Sequence, residues 1–496
     1  MGSLCAARMV YHMCKTGGLR PVRFPFAGGG GRNRLCDTKG AEAMIFDTIA
    51  AIATAPGGAI GIIRVSGEQA AKCIGQVFRP ASGKPFTDCA PRTLVYGSLL
   101  ARDGRVIDQC MAVRFPGEKT YTGEPMAELQ LHGSPAVLGE ALSALFQAGA
   151  RQADAGEFTR RAFLNGKLGL MEAEAVADLI AARTMEAAGN AAGQLTGAVG
   201  GRMAALRQGL VGLSAHFLAV VDYPDEDIDP FLLRQAERVL AETERELTVL
   251  CDSYERGRIL REGLPCAIVG RPNVGKSTLL NALVGFDRAI VTDIAGTTRD
   301  TIEETVRIGP LCLRLQDTAG LRETADPVEK IGVRRAEQAA ETAGMVLAVI
   351  DGSVPLTDED GQALARAKAA PKSVLVVNKC DKARCLAVPE GFRYTVRISA
   401  KHGEGLEQLR QVLLDCAGLE GTAFDGGVIT NARQADALRR AAGCCGQAKR
   451  AAQAGFTPDA VLMDVEGAIS ALGELTGQNV REDIIQDIFS RFCVGK

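Results

Sequence analysis

Tryptophan is absent from the 496 residues, and the 57 Gly and 19 Pro fall into no repeat, which excludes a collagenous or low-complexity chain. Fifteen cysteines are present, but they form no C-x-x-C pair and no Cys/His cluster at ligand spacing, so no zinc site is readable. Only Cys444 and Cys445 are adjacent, and reduced thiols in a cytoplasmic protein are the simpler expectation. No uninterrupted apolar run approaches the roughly 18 residues of a membrane span, so the reading is a soluble protein without a membrane partner. Neither sign of charge is in excess: 57 Lys+Arg face 59 Asp+Glu, a net charge of -2. That removes bulk attraction to nucleic acid or anionic membranes and leaves only local basic patches. What is present is an ordinary globular balance, 47% apolar and 23% charged. At roughly 150 residues per domain, the length allows about three.

Residues 1–43 differ from the rest. They hold seven Lys/Arg against Asp37 and Glu42, a Gly28-Gly29-Gly30-Gly31 run and three cysteines. No apolar segment follows the basic residues, as a secretory signal requires, and Ser3 is the only serine where a transit peptide would have many. The segment reads as a disordered extension, or as translation assigned upstream of a start at Met44. Without it, 453 residues carry 50 Lys+Arg and 57 Asp+Glu, and the net charge falls to -7.

From Met44 strand-like segments appear at Ile60 to Val65, Thr93 to Tyr96, Ala112 to Phe115 and Glu128 to His132, with a helical stretch from Pro135 to Gln147. This predicts an α+β domain over 44–161. Helical periodicity at about 171–193, 202–221 and 231–258 predicts a first helical part over 162–260. An acidic, proline-broken loop, Asp222-Tyr223-Pro224-Asp225-Glu226-Asp227, interrupts it. Over 261–424 short apolar strands (Ala267 to Val269, Leu311 to Leu315, Val346 to Ile350, Val374 to Val377, Thr395 to Ile398) alternate with helices. That alternation predicts a doubly wound, mostly parallel sheet. Helical patterns return over 425–496, so the chain reads as a multidomain α/β and α protein with an α/β domain inserted into a helical one.

Gly270-Arg271-Pro272-Asn273-Val274-Gly275-Lys276-Ser277 fits G-x-x-x-x-G-K-[ST], directly after a strand and before the helix-like Thr278-Leu279-Leu280-Asn281. The glycines let backbone N–H groups of a loop running from Asn273 through Val274 and Gly275 to Thr278 wrap phosphates at a helix N-terminus. Lys276 adds a cation that serves binding and catalysis, and Ser277 would hold Mg2+. Thr297-Thr298 follows in a loop, where a threonine can sense the γ-phosphate through Mg2+. Asp317-Thr318-Ala319-Gly320 follows a strand, so Asp317 can hold the metal's shell and the Gly320 amide can face the γ-phosphate. Asn378-Lys379-Cys380-Asp381 follows another strand; Asp381 can accept from guanine N1–H and the 2-amino group, which adenine lacks. Ser399-Ala400-Lys401 completes a base pocket. These five elements in this order resemble the translation-factor-like GTPases, which implies a Ras-like domain and a GTP hydrolase. Many small GTPases place a glutamine after Asp-x-x-Gly to orient water, but here stands Leu321, which cannot. Glu323, Asp326 and Glu329 lie downstream as replacements. No arginine finger is identifiable, and a monovalent cation held in part by Asn273 could supply the charge instead.

The flanks extend the resemblance. Asp47-Thr48-Ile49-Ala50-Ala51-Ile52-Ala53-Thr54, the run from Gly61 to Gly67, Tyr121-Thr122-Gly123-Glu124, Glu128 to Gly133 and Gly156 to Lys167 all resemble the MnmE (TrmE) family of tRNA-modifying GTPases. So do Thr292-Asp293-Ile294-Ala295-Gly296-Thr297-Thr298-Arg299-Asp300, as switch I, and the tail Phe492-Cys493-Val494-Gly495-Lys496. The resemblance runs in one order from about residue 44 to 496.

It implies work with an FAD-dependent MnmG-like partner, which carries the FAD, to install an aminomethyl- or carboxymethylaminomethyl-type group at C5 of the wobble uridine of certain tRNAs. The one-carbon unit would come from 5-formyl- or methylene-tetrahydrofolate on the N-terminal domain, with Arg64, Glu128, Lys167 and Lys496 at that site. Asn273, Thr292, Ile294 and Thr297 would coordinate K+, Ser277 and Thr298 would hold Mg2+, and Glu329 would position the attacking water. The family dimerises through its N-terminal domains, its GTPase domains meet across K+, and a heterotetramer with the partner is implied. Cys493 gains a functional thiol whose role is unassigned.

Residue chemistry agrees: Arg64 and Lys167 suit a folate's carboxylates, and Glu128 its donors. Taken alone, Arg64 reads as a surface arginine, Lys167 and Glu128 as solvated charges, and Glu329 as an exposed helix residue. His132 reads as structural as readily as a folate contact. Arg433, Arg439, Arg440, Lys449 and Arg450, against Asp436 alone, make 433–450 basic. That stretch reads first as a solvated helix face and second as a contact for tRNA phosphates. The competing functional reading is a regulatory RNA-binding GTPase switch of the ribosome-assembly type. Its P-loops look alike, but it lacks the N-terminal domain and the tail.

Overall fold

The computed structural model describes residues 47–222, 230–285, 304–316, 341–383, 388–478 and 480–495. The first of its structural units runs β1 (Ile49–Ile52), β2 (Ile60–Ser66), α1 (Ala70–Val77), β3 (Phe78–Pro80), β4 (Val95–Leu100), β5 (Val106–Phe115), β6 (Met126–His132), α2 (Pro135–Gln147), β7 (Arg151–Gln152) and α3 (Glu157–Leu164). The strands form a seven-stranded sheet ordered β3-β4-β5-β6-β2-β1-β7, antiparallel except where β1 meets β7. Side chains alternate across it. Ala50, Ile63, Val65 and Leu129 turn to one face, where they pack with Ile74 of α1 and Leu138 and Leu145 of α2. Ile49 and Ala51 turn to the other and pack with Phe158 of α3. The four predicted strands and the helix are all found, with β5 starting six residues before the predicted Ala112. β1, β3 and β7 were not expected: at four, three and two residues they are too short to show an alternation.

Helices α4 (Leu170–Ala181), α5 (Met185–Leu195), α6 (Ala198–Asp222), α7 (Pro230–Asp252) and α8 (Tyr254–Glu262) follow. The stretch expected as one helix over 171–193 is two, because Thr184 caps a new start: its hydroxyl accepts from the Ala187 amide. The chain then enters a second sheet through β8 (Leu264–Val269), α9 (Lys276–Val284), β9 (Glu304–Ile308), β10 (Leu311–Leu315), β11 (Met345–Asp351), α10 (Asp358–Ala369), β12 (Ser373–Asn378), β13 (Tyr394–Arg397) and α11 (Leu406–Ala417). Its order is β13-β12-β11-β8-β10-β9, with only β9 antiparallel to its neighbour. All seven residues of β11 are buried, so an apolar run rather than an alternation marks it in the sequence. The doubly wound, mostly parallel sheet is as predicted.

The chain returns to helix with α12 (Ala432–Gln453), α13 (Pro458–Thr476) and α14 (Glu482–Ser490). Met203, Leu240 and Leu247, from before the second sheet, share one core with Leu438, Val465 and Leu472, from after it. The α/β domain is therefore an insertion into a single helical body.

Its two crossings are held by buried polar side chains. Asp178 on α4 accepts from Arg261 Nε at 2.7 Å, on the outgoing side, and from the Thr430 hydroxyl at 2.7 Å, on the return. Burial pushes its carboxyl above the usual range, against the pull of Arg261. One turn earlier, Glu174 accepts from Arg433 at 2.8 Å, Gln434 at 2.6 Å and Asn431 at 3.1 Å. Asn190 and Gln194 of α5 both donate to the Val428 carbonyl, and the Ser253 hydroxyl accepts from the Ile429 amide. Removing Glu174 strands a partly buried arginine. Glu174→Ala should therefore cost about 3–5 kcal/mol, read as a lower urea midpoint of the helical body.

Candidate functional site

The loop from Gly270 to Gly275 joins the C-terminal end of β8, a central strand, to α9. Gly275 takes φ +99°, and a Cβ there would lie 2.3 Å from Asn378 Nδ2. Asn273 adopts φ +64°, a left-handed conformation that asparagine tolerates better than most residues. Val274 is fully buried beneath the loop, Thr278 is exposed, and Ser277 lies in the first turn of α9. Lys276 donates from Nζ to the carbonyls of Gly270 at 2.8 Å and Arg271 at 2.9 Å, and burial lowers its pKa. The loop thus folds its carbonyls onto an ammonium at a helix N-terminus, a setting that suits phosphate.

Three segments meet beside it. Asn378, at the end of β12, donates from Nδ2 to the Val274 carbonyl at 2.8 Å and accepts the Ala400 amide on Oδ1 at 3.0 Å. Lys379, at φ +64°, reaches the Asn273 carbonyl at 2.6 Å and Asp351 Oδ2 at 2.7 Å. Asp381 accepts from the Ser399 hydroxyl at 2.7 Å, which lowers its pKa and keeps it ionised. Lys401 follows at the exposed turn. Asp351 was not anticipated; its only signal is its place as the polar last residue of an apolar strand. Asp381, by contrast, is exposed, and a carboxylate fixed as it is can accept two N–H donors from one base edge.

Thr292, Asp293, Ile294, Ala295, Gly296, Thr297, Thr298, Asp317, Thr318, Ala319, Gly320 and Glu329 lie outside the described residues, as does Lys496. Of the expected Mg2+ and K+ ligands, the structure places Ser277 and Asn273.

A second cluster lies on the first sheet. Arg64 and Glu128 are register partners across β2 and β6, with Nε to Oε1 at 2.9 Å. The Arg64 guanidinium carbon stands 5.6 Å from the Tyr121 ring centroid and 5.9 Å from that of Phe158. Its Nη groups make no hydrogen bond among the described residues, so a planar fork beside aromatic walls is available to a carboxylate. The side chain of the exposed Lys167 passes the loop at Gly123, where a Cβ would lie 3.0 Å from its Cε. Val494 pairs with Ala155 in an isolated bridge, and a Cβ on Gly495 would lie 2.2 Å from the Ile52 carbonyl. The tail is thereby laid against β1, whose Ala51 is the register partner of Arg64. Cys493 is exposed there, its carbonyl accepting from the Gly156 amide at 3.4 Å.

The loop that carries Tyr121 is fixed from below. Glu124 accepts from Ser66 at 2.9 Å and from Arg161 at 3.0 Å, and Arg161 also binds Asp47 at 2.5 Å and Glu157 at 2.9 Å. His132 instead binds Asp108, Nδ1 to Oδ1 at 2.8 Å, in an exposed pair. The basic stretch is largely neutralised: Arg433 binds Glu174, Arg440 binds Asp436 and Glu474, Arg439 faces Asp436, and Lys449 binds Glu244.

A mostly parallel sheet with a P-loop after a central strand, and an exposed carboxylate just after β12, defines a P-loop nucleotide-binding protein of the Ras-like class. The flanking domains narrow this. The family model described as GTP-binding protein TrmE N-terminus matches residues 48–167, and that of the MnmE helical domain matches 170–493. The chain is 43% identical over 468 residues to the tRNA modification GTPase MnmE of Heliobacterium modesticaldum, covering 91% of this chain and 100% of that one. It is 41% identical over 467 residues to the protein of that name from a Roseiflexus species, at 91% and 99%. Among solved structures it is similar to Era in complex with MgGDPNP and a segment of 16S ribosomal RNA. That match has 28% identity, covers 36% of this chain and 65% of that one, and has a TM-score of 0.23. The chain belongs to the MnmE family.

If Asp381 accepts from guanine, Asp381→Ala should weaken GTP binding at least about tenfold, the scale of a charge-assisted hydrogen bond. Competition by ATP should not change, as measured by displacement of a fluorescent guanine nucleotide.

Proposed function

We propose that this chain is a GTP hydrolase that takes part in tRNA modification at the wobble uridine. The observation that carries the reading is the P-loop and its base-facing corner, Asn378 to Asp381 with Ser399 to Lys401, inside a chain alike to MnmE proteins over 91% of its length. That extent also favours it over a ribosome-assembly switch, for which the N-terminal sheet and docked tail have no place.

In this reading Lys276 holds phosphate oxygens, Asp381 selects guanine, and Glu329 positions the attacking water in place of a glutamine. Ser277 with Thr298 would hold Mg2+, and Asn273 with Thr292, Ile294 and Thr297 would hold K+; the two ions supply positive charge for the phosphates. Arg64, Lys167 and Lys496 would bind the carboxylates of a tetrahydrofolate, with Glu128 as acceptor, and the folate supplies the one-carbon unit. Cys493, exposed beside that face, is available as a thiol. The protein would work in the cytoplasm as a homodimer joined through its N-terminal domains, with an FAD-bearing MnmG-like partner and tRNA.

Mass spectrometry of tRNA nucleosides tests the whole: cells lacking the gene should lose the aminomethyl-type modification at the wobble uridine, and an unchanged profile would refute the role. GTP turnover should rise at least about tenfold when K+ replaces Na+, and equal rates would remove the cation from the mechanism. By calorimetry, wild type should bind 5-formyltetrahydrofolate and Arg64→Ala should bind it at least about tenfold more weakly. No heat with wild type would sink the donor role.

A further inference from the structure

We propose that Asp360, on helix α10 and outside the P-loop, is a positioning residue for the nucleotide triphosphate: it holds Arg271, and through the loop backbone it holds Lys276. The proposal rests on the GTP reading above and adds to it a residue that none of the nucleotide-binding motifs contains.

Asp360 is 2% exposed and stands in the first turn of α10. Its Oδ2 accepts from the Thr357 amide at 3.0 Å and the Thr357 hydroxyl at 2.9 Å, closing a capping box. A cap explains those bonds, but it does not call for a cation. Yet Arg271, the second residue of the P-loop, also donates from Nε to the same oxygen at 3.1 Å. Oδ1 is buried without a hydrogen-bond partner among the described residues, so the arginine is the buried carboxylate's cationic counterpart.

The tether acts on the backbone. Arg271 precedes Pro272, whose ring fixes its own φ and confines the residue before it to extended conformations. With the side chain also pinned, the peptide plane bearing the Arg271 carbonyl has little freedom left. That carbonyl and its neighbour on Gly270 take two of the three donors of Lys276. Among the described residues the third has no partner, and the two that are fixed aim it toward a phosphate oxygen. In a P-loop this ammonium reaches the β- and γ-phosphates, so its aim matters more for a triphosphate than for a diphosphate.

The test titrates the full chain with a fluorescent non-hydrolysable GTP analogue and with fluorescent GDP, and records the unfolding midpoint of each variant. Arg271→Gln removes the tether and leaves the cap, whereas Thr357→Ala weakens the cap and leaves the tether. Arg271→Gln and Asp360→Asn should each weaken the GTP analogue about tenfold and GDP clearly less. The double variant should be no weaker than the worse single one, because both cut one connection. Thr357→Ala should lower the unfolding midpoint and keep the wild-type ratio of GTP to GDP affinity. The proposal is overturned if Arg271→Gln binds both nucleotides as wild type does, if it loses both equally, or if the two substitutions add. Failure of wild type itself to bind GTP would sink the nucleotide reading, and this inference with it.

Discussion

Two carboxylates one turn apart on α4, Glu174 and Asp178, hold the molecule's halves in register. An inserted domain meets its host only through the segments that leave and return, and short peptide crossings are free to swivel. Here both are fastened to the same helix, the outgoing one through Arg261 and the returning one through Thr430, Asn431 and Arg433. Burying two acids so close together is costly, and the cost is offset only while every oxygen keeps its donors. Asn190, Gln194 and Ser253 extend the same arrangement to the backbone at Val428 and Ile429. Each of these polar side chains is hydrogen-bonded across the connection between domains.

The nucleotide corner is built on the same plan at smaller scale. Asn378 is nearly buried and bonds only to backbone, so its part is to hold the P-loop and the Ala400 segment at a set distance. Lys379 does likewise between Asn273 and Asp351. The motif residues that look like ligand contacts are in part joinery, whereas Asp381 and Lys401 present their charges outward.

Legibility followed burial and separation. Strands buried on both faces show as apolar runs, which is why β8, β11 and β12 were readable, and the P-loop was readable because its chemistry is local. β1 and β7 were not, since a strand of four or two residues leaves no period. The break at Thr184 was hidden because alanine-rich sequence on both sides favours helix, and only the hydroxyl's choice of the Ala187 amide ends one helix and begins another. Pairings such as Arg64 with Glu128, Arg271 with Asp360, or Arg433 with Glu174 depend on register between distant segments, and no spacing rule reports them. For the same reason the basic stretch at 433–450 looked like a patch, although three of its partners, Glu174, Glu244 and Glu474, lie on other helices.

The tail joins two distant parts of the chain: residues 492–494 rest on Ala155 and Gly156, and Gly495 lies beside Ile52 of β1. That strand and that tail lie at opposite ends of the described residues. Two stretches far apart in the chain are therefore both needed to complete that edge of the sheet. A substitution that lifted Gly495 from the Ile52 carbonyl would be felt at β1 as well as at the helix that precedes the tail.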